Sequence, residues 1–295
     1  MSNIVLLTGG AGFTGYYVKK ALVDSGFNVF SLTTRIPSLP NEVQGDLMDI
    51  KSLNTVIQKV QPDYVIHLAA IAFVGHANES SFYSTNVIGS INLLNAIYNF
   101  RPNIKKIILS SSANIYGNPE ENPVSESLTP KPINHYAMSK LSMEILAENM
   151  FKDKLPLLMV RPFNYTGKGQ SKDFIIPKIV DHFKNKSSKI ELGNVDVIRE
   201  FNDVRDIANL YVSLLISEKK SGIFNFCSGT GYGLGSVLEI CEKITDHKVD
   251  VVINPLFIRK NELKILTGSN DKIREVISNY EFYTLEETLK WMLSD

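Results

Sequence analysis

The chain has 295 residues, 44% of them hydrophobic, which is enough to bury a sizeable core in one large domain or in a large and a small one. Lys+Arg and Asp+Glu balance at 31 each and no basic block runs along the chain, which argues against nucleic acid as a partner. The two cysteines, Cys227 and Cys241, are too few for a disulfide framework, and neither stands in metal-ligand spacing with the five histidines. A reducing, cytoplasmic setting with no metal is expected. The N-terminus shows no charged n-region or small-residue cleavage site. The longest apolar stretch, 64–75, is too short to span a bilayer and contains His67, so no membrane association is expected.

Apolar, β-rich runs alternate with helix-period segments through the first two hundred residues. Strands are expected over 3–7, 28–32, 42–44, 64–68, 106–110 and 157–161, with helices over 16–25, 50–59, 82–99 and 135–151 between them. That order is the pattern of βαβ units and a parallel sheet covered on both faces. After about Arg161 the rhythm loosens into loops, a helix over 174–183, the segment 190–206, a helix over 207–217, a strand over 223–227 and a helical tail. The expected fold is α/β: a Rossmann-type, doubly wound parallel sheet over 1–165, with part of 204–220 returning to it. A smaller, partly interleaved C-terminal domain over 166–295 is expected to hold the substrate.

Residues 8–15 read TGGAGFTG, and Gly9, Gly12 and Gly15 give the spacing GxxGxxG directly behind a strand and ahead of a helix. In a dinucleotide-binding turn such glycines permit the tight bend, the close approach of backbone N–H groups to a pyrophosphate, and helix–strand packing. A plain βα turn would share the bare motif, but strand, turn, helix and second strand follow in the expected order. Phe13 and Thr14 then supply the approaching backbone. A second cluster, Gly229, Gly231, Gly233 and Gly235, lacks a βαβ unit around it and reads as a turn near the mouth of a site. At the end of the second strand an acid would pair with the ribose hydroxyls of NAD. Here Thr33, Thr34 and Arg35 stand there instead, which favours a cradle for the 2′-phosphate of NADP(H), with NAD(H) the alternative.

His135-Tyr136-Ala137-Met138-Ser139-Lys140 contains YxxxK at the start of a helix, so Tyr136 and Lys140 lie one turn apart on one face. A phenol of ordinary pKa about 10 is a poor acid or base at neutral pH, and an adjacent ammonium favours its ionised form. Upstream, Ser110-Ser111-Ser112 ends a strand, where hydroxyls reach the carboxyl edge of the sheet, the usual place for ligands in this kind of fold.

Together with GGAGFTG, the stretches His67-Leu68-Ala69-Ala70, Ser110 to Gly117 (SSSANIYG), YAMSK, Asp46-Leu47, Asn86 in NVIGS, RPFN at 161–164, REFNDV at 199–204 and NFCSG at 225–229 carry a resemblance. They resemble the extended short-chain dehydrogenase/reductases that modify nucleotide sugars, over almost the full length. That resemblance implies that Ser112 hydrogen-bonds the reacting oxygen, that Tyr136 gives or takes the proton, and that Lys140 lowers its pKa and holds the nicotinamide ribose. It also implies that Asp46 and Leu47 flank the adenine, that Leu68, Ala69 and Ala70 line the middle of the cofactor, and that Asn164 meets the substrate phosphates. Arg199 fits the family's diphosphate arginine, followed by Glu200 where Asp is commoner. Arg259 and Glu262 look like part of the segment by which GDP-mannose-processing members hold ribose and diphosphate, although Lys260 replaces the usual proline. Homodimerisation through helices of the first domain is a further expectation of the family.

The family's 4,6-dehydratases carry a Glu, often preceded by Asp, immediately after the catalytic hydroxyl residue, whereas this chain has Ala113 and Asn114 there. Neither can take a proton from C5 of a sugar, which argues against dehydration. The stretches 161–170 and 190–199 look closest to GDP-4-keto-6-deoxy-D-mannose reductases. An NADPH-dependent C4 ketoreductase acting on a GDP-linked sugar is therefore the expected function. A 4-epimerase or a GDP-sugar 4-dehydrogenase using NAD stands as the alternative, and a non-catalytic dinucleotide sensor as the remote one. His67, Cys227, Cys241 and Trp291 are expected to be packing residues.

Overall fold

The computed structural model describes residues 3–72, 78–258 and 264–294. The first strand, β1 (Ile4–Thr8), is a run of buried aliphatic residues. It leads through the glycine turn into α1 (Phe13–Asp24), then β2 (Asn28–Thr33), β3 (Glu42–Gln44), α2 (Ile50–Val60) and β4 (Tyr64–His67). α1 begins three residues earlier than the periodicity suggests, because Gly12 serves as its N-cap. The Asp49 carboxylate caps α2 by accepting from the Lys51 N–H at 2.9 Å.

The single helix expected over 82–99 is three pieces: α3 (Ser80–Tyr83), a π-helical turn over Ser84–Ile88, and α4 (Gly89–Phe100). Hydrophobic spacing alone does not register a π turn, since it shifts one residue without interrupting the apolar face. β5 (Lys106–Ser110) ends in a one-turn helix over Ala113–Tyr116. α5 (His135–Phe151) follows, capped by Asn134 Oδ1, which accepts from the Ala137 N–H at 2.8 Å, and β6 (Leu157–Pro162) comes next.

The later elements are β7 (Tyr165–Thr166), α6 (Ile175–Lys184), β8 (Lys189–Leu192), β9 (Ile198–Arg199), β10 (Asn202–Asp203), α7 (Val204–Ile216), β11 (Gly222–Phe226) and β12 (Tyr232–Gly233). They continue with α8 (Leu234–Thr245), β13 (Asp250–Ile253), β14 (Ile265–Leu266), α9 (Asp271–Arg274) and α10 (Leu285–Leu293).

Seven strands form one parallel sheet in the order β11-β6-β5-β4-β1-β2-β3. Alternation along the strands sends side chains to opposite faces. Leu6, Val65, Ile107 and Leu109 pack with Leu53, Ile57, Leu93, Ile97, Met143 and Ala147 of α2, α4 and α5. Val5, Leu7, Ile66 and Ile108 pack with Val18, Leu22, Ile207, Leu210 and Leu214 of α1 and α7. The sheet is thus doubly wound, as expected. The return of the chain to it reaches further than 204–220: α7 covers one face, and β11 pairs in parallel with β6, Ile223 against Met159 and Phe226 against Pro162. Lys106 fastens that return. Its buried ammonium donates to the carbonyls of Leu214, Leu215 and Ser217 at 2.9, 2.9 and 2.6 Å, closing the carboxyl end of α7.

A third core of Ile176, Ile179, Phe183, Leu192, Val237, Cys241, Leu289 and Met292 holds the C-terminal lobe together. A buried pair joins α5 to β6: Arg161 donates from Nε to Glu144 Oε1 at 3.1 Å and from Nη2 to Oε2 at 2.7 Å. Arg161 Nη1 also donates to the Tyr116 hydroxyl at 3.0 Å, which in turn donates to Asn225 Oδ1 at 2.7 Å. Both charges are desolvated and bidentate, an arrangement in which removing one partner is far more costly than never having had either. Among the described residues no helix is long and apolar enough to cross a membrane.

Candidate active site

The glycine turn lies at the carboxyl edge of β1, and its glycines are not equivalent. Gly9 has φ +72°, and a Cβ there would stand 2.7 Å from the Ala69 nitrogen, so the turn and the chain leaving β4 touch backbone to backbone. A Cβ on Gly15 would fall 2.1 Å from the Gly9 carbonyl oxygen, whereas one on Gly12 would find only that oxygen, at 3.3 Å. No side chain caps the amino end of α1. Among the described residues its first N–H groups therefore have no side-chain capping acceptor, the arrangement that suits a pyrophosphate. Thr14 turns elsewhere: its hydroxyl is 2.7 Å from the Tyr165 hydroxyl, while Phe13 stacks on the Tyr165 ring with centroids 6.2 Å apart.

At the end of β2, Thr33 Oγ1 accepts from the Arg35 N–H at 3.2 Å and Thr34 O accepts from Gln44 Nε2 at 3.4 Å. Arg35 is exposed there. Asp46 spends Oδ1 on the Met48 N–H at 2.9 Å, and Leu47 is held through its carbonyl by Asn92 Nδ2 at 2.9 Å. Leu68, Ala69 and Ala70 follow β4 directly and are half-buried beside the glycine turn. The glycine cradle and the uncapped end of α1 fit a dinucleotide.

Ser112 and Tyr136 are brought together across the next strand. Ser112 Oγ accepts from the Asn114 N–H at 3.2 Å, and its hydroxyl is hydrogen-bonded to Tyr136. Burial pushes the Tyr136 phenol up to about 12, with a hydrogen bond to Ser112 working against it and the Tyr165 hydroxyl adding to the rise. Lys140, expected to hold this phenol low, is not among the groups that shift it. The Lys140 ammonium donates instead to the Ser110 carbonyl at 2.7 Å, and burial brings its own pKa down to about 8, opposed by Glu144 one turn along α5.

A chain of hydrogen bonds that the sequence reading leaves out supports this edge. Ser90 Oγ donates to the Asn86 carbonyl at 2.7 Å, so His67 Nε2, 2.8 Å from Ser90 Oγ, carries the ring proton. His67 Nδ1 then accepts from Thr8 Oγ1 at 2.7 Å, and Thr8 Oγ1 accepts from the Ala69 N–H at 3.1 Å. Burial first, and Lys140 second, push His67 down to about 3, keeping it neutral. Asn86, on the π turn, receives the Ile71 N–H on Oδ1 at 2.9 Å and donates to Ser139 Oγ at 3.0 Å. It thereby links the chain leaving β4 to the helix that carries Tyr136 and Lys140. A polar residue inside an apolar helix face, at 86, was the available sign.

On the far side of the cleft Arg199 is buried on β9, its Nη1 donating to the Ile198 carbonyl at 2.8 Å. The exposed Asn164 follows β6, its carbonyl accepting from Asn202 N and Nδ2, both at 3.0 Å. Arg259 and Glu262 lie outside the described residues. Of the second glycine cluster, Gly229, at φ +87°, and Gly231 lie in the turn after β11, while Gly233 ends β12 and Gly235 is in the first turn of α8. Trp291 packs under the Arg205 guanidinium at 4.0 Å. Cys227 and Cys241 are buried.

A seven-stranded parallel sheet with a glycine turn behind its first strand, and a serine-ended strand beside a YxxxK helix, defines an extended short-chain dehydrogenase/reductase. Residues 6–292 match the GDP-mannose 4,6 dehydratase family, and the chain belongs to it. It is 36% identical over 290 residues, 98% of this chain and 96% of the relative, to the GDP-6-deoxy-D-talose 4-dehydrogenase of Aggregatibacter actinomycetemcomitans. It is 28% identical over 305 residues, 100% of this chain and 97% of the relative, to the GDP-6-deoxy-D-mannose reductase of Pseudomonas aeruginosa. Among solved structures, one from Burkholderia cenocepacia J2315, provisionally described as an epimerase, superposes with a TM-score of 0.91 at 38% identity, covering 99% of this chain and 97% of that one. The structure of RMD from Pseudomonas aeruginosa complexed with NADPH gives 0.87 at 27%, covering 99% and 98%. The chain is thus a nicotinamide-dependent oxidoreductase of the kind that modifies nucleotide sugars.

Proposed function

We propose that the chain reduces the C4 ketone of a GDP-4-keto-6-deoxyhexose, with NADP(H) in preference to NAD(H). The observation that carries this reading is the hydrogen-bonded pair of Ser112 and Tyr136, followed by Ala113 and Asn114. Hydride transfer at one carbon needs one acid/base group and one donor to the oxygen. Elimination across C5 and C6 needs a further proton acceptor, and an alanine and an amide do not supply one. The chain therefore sits in a family named for a dehydratase without that chemistry. Two relatives named for GDP-6-deoxyhexoses support the substrate class.

A nicotinamide dinucleotide held with its pyrophosphate over the glycine turn and its ribose by Lys140 would supply the hydride. Tyr136, pushed up to about 12 by burial, is a neutral phenol at neutral pH and donates its proton to the oxygen developing at C4. Ser112, whose Oγ is oriented by the Asn114 N–H, donates a hydrogen bond to that same oxygen, worth a few kcal/mol of the barrier. The Lys140 ammonium uses one N–H on Ser110 and keeps the others for the ribose. Arg199 and Asn164 take the diphosphate. At the end of β2 no acid follows Thr33, and the exposed Arg35 supports a 2′-phosphate. Ile145, Leu146 and Met150 on α5 and Tyr98 on α4 are apolar and 38% or more exposed, which supports a second copy of the chain as partner.

Tyr136→Phe tests the assignment. Turnover should fall by roughly 10²- to 10⁴-fold while NADPH binding, read by fluorescence, stays near wild type. A variant that turns over at the wild-type rate would refute the role. One NADPH consumed per product supports reduction; a bound nicotinamide used without net consumption would mean a 4-epimerase instead.

A further inference from the structure

Glu200 is fully buried directly after Arg199, at the end of β9. Its Oε1 accepts from the Gly268 N–H at 2.6 Å. Oε2 accepts from the N–H groups of Ser228 and Gly229 at 3.0 and 3.2 Å and from the Ser228 hydroxyl at 3.3 Å. β9 lies between β12 and β14, with Arg199 opposite Tyr232 on one side and Leu266 on the other. Gly268 follows β14, and Ser228 and Gly229 precede β12. One carboxylate therefore ties together the chain segments on both flanks of Arg199, immediately beyond it.

A Cβ on Gly268 would lie 2.6 Å from the Phe163 ring and 2.7 Å from Cys227 Sγ, so the Gly268 backbone is pressed against the residue that precedes Asn164. Asn202 adds a further tie: Oδ1 accepts from the same Ser228 N–H at 2.8 Å, while its N and Nδ2 hold the Asn164 carbonyl. We propose that Glu200 is a positioning residue for the substrate's diphosphate: by accepting from Gly268 on one oxygen and from Ser228 and Gly229 on the other, it holds Arg199 and Asn164 in register. The proposal rests on the reading of Arg199 and Asn164 as diphosphate ligands.

The chemistry requires a carboxylate. Both oxygens meet only donors, and a glutamine can satisfy one side alone, because its NH₂ would face N–H groups on the other. Losing that charge-assisted bond should misplace the phosphate ligands without touching the nicotinamide edge. The test titrates the full chain calorimetrically with GDP, and separately with NADPH. Glu200→Gln should weaken GDP by about 10- to 100-fold and raise KM for the nucleotide sugar in step. NADPH affinity and kcat should stay within about two-fold. GDP binding left at wild-type strength, or GDP and NADPH weakened alike, overturns the proposal, the second because a merely structural carboxylate would not discriminate between them. Ser228→Ala, which removes one donor and no backbone group, provides the second variant. It should weaken GDP by about three-fold with NADPH unchanged, and no effect on GDP counts against the role. Arg199→Met separates the two readings: if it leaves GDP binding intact, or if the wild-type chain binds no GDP, the diphosphate site itself is misassigned. If it abolishes GDP binding and Glu200→Gln does not, only the role of Glu200 fails.

Discussion

Two alanine substitutions in the glycine turn should separate folding from cofactor binding. At Gly15 the new methyl would sit 2.1 Å from the Gly9 carbonyl oxygen, more than an ångström short of the 3.4 Å at which ordinary contact begins, and 2.7 Å from Gly10 Cα, also well short of it. Both neighbours are backbone, so the relief must come from displacing α1 against β1, an overpacking cost of about 1–3 kcal/mol. That displacement also carries away the N–H groups proposed to meet the pyrophosphate, and an error of roughly an ångström in such a site costs about 10²-fold. At Gly12 the methyl meets only the Gly9 oxygen, at 3.3 Å, which asks a few tenths of an ångström of the turn. Gly12→Ala should therefore melt like wild type without cofactor yet bind NADPH at least about ten-fold more weakly, the methyl standing where the pyrophosphate approaches. Gly15→Ala should lose on both counts. Differential scanning fluorimetry without ligand and a fluorescence titration with NADPH read the two effects separately. A Gly15→Ala chain with wild-type melting and affinity would show that the turn does not cradle the cofactor backbone.

The Lys140 ammonium should set an upper pH limit for activity. Burial has brought it to about 8, so its charge is lost as pH rises through that value, and kcat/KM should fall above about pH 8 with the slope of one proton. A profile level from pH 7 to 9 would contradict the assignment. The stability sign is opposite. Between about 8 and the ordinary 10.5 the folded chain binds fewer protons than the unfolded one, so the destabilisation from burying the charge is relieved as pH rises across that window. Lys140→Met should remove that dependence from urea unfolding curves. The exposed apolar faces of α4 and α5 should join two copies: sedimentation is expected to give about twice 33.0 kDa, and Ile145→Glu with Met150→Glu to give the single mass. A wild-type chain that sediments as a monomer would contradict this.

Much of the sheet was legible because its strands are aliphatic runs punctuated by turn residues. That they pair in parallel was expected from the βαβ rhythm, whereas the order in which they pair was not. β11 was harder to place, since a strand written after two hundred residues of chain says nothing of its neighbour; its pairing with β6 depends on α7 returning across the sheet. The glycine spacing and YxxxK were readable because they impose local geometry: a close approach at Gly9, a shared helix face for Tyr136 and Lys140. The charge relation between those two was not. It turns on where the Lys140 ammonium points, and a backbone carbonyl at Ser110 leaves no mark in a sequence.

Two buried carboxylates make the same point from opposite directions. Glu144 meets Arg161, so a charge pattern read along the chain could in principle suggest the pair, although seventeen residues and a loop separate them. Glu200 meets N–H groups of Gly268, Ser228 and Gly229, which every sequence contains everywhere. Glu144 opposes the fall in Lys140's pKa, and Glu200 stands beside Arg199. Each carboxylate therefore works on the residue that would touch a ligand, one through its field and one through the backbone. Substitution at either should thus be read first in the behaviour of Lys140 or Arg199, and only then in the stability of the whole chain.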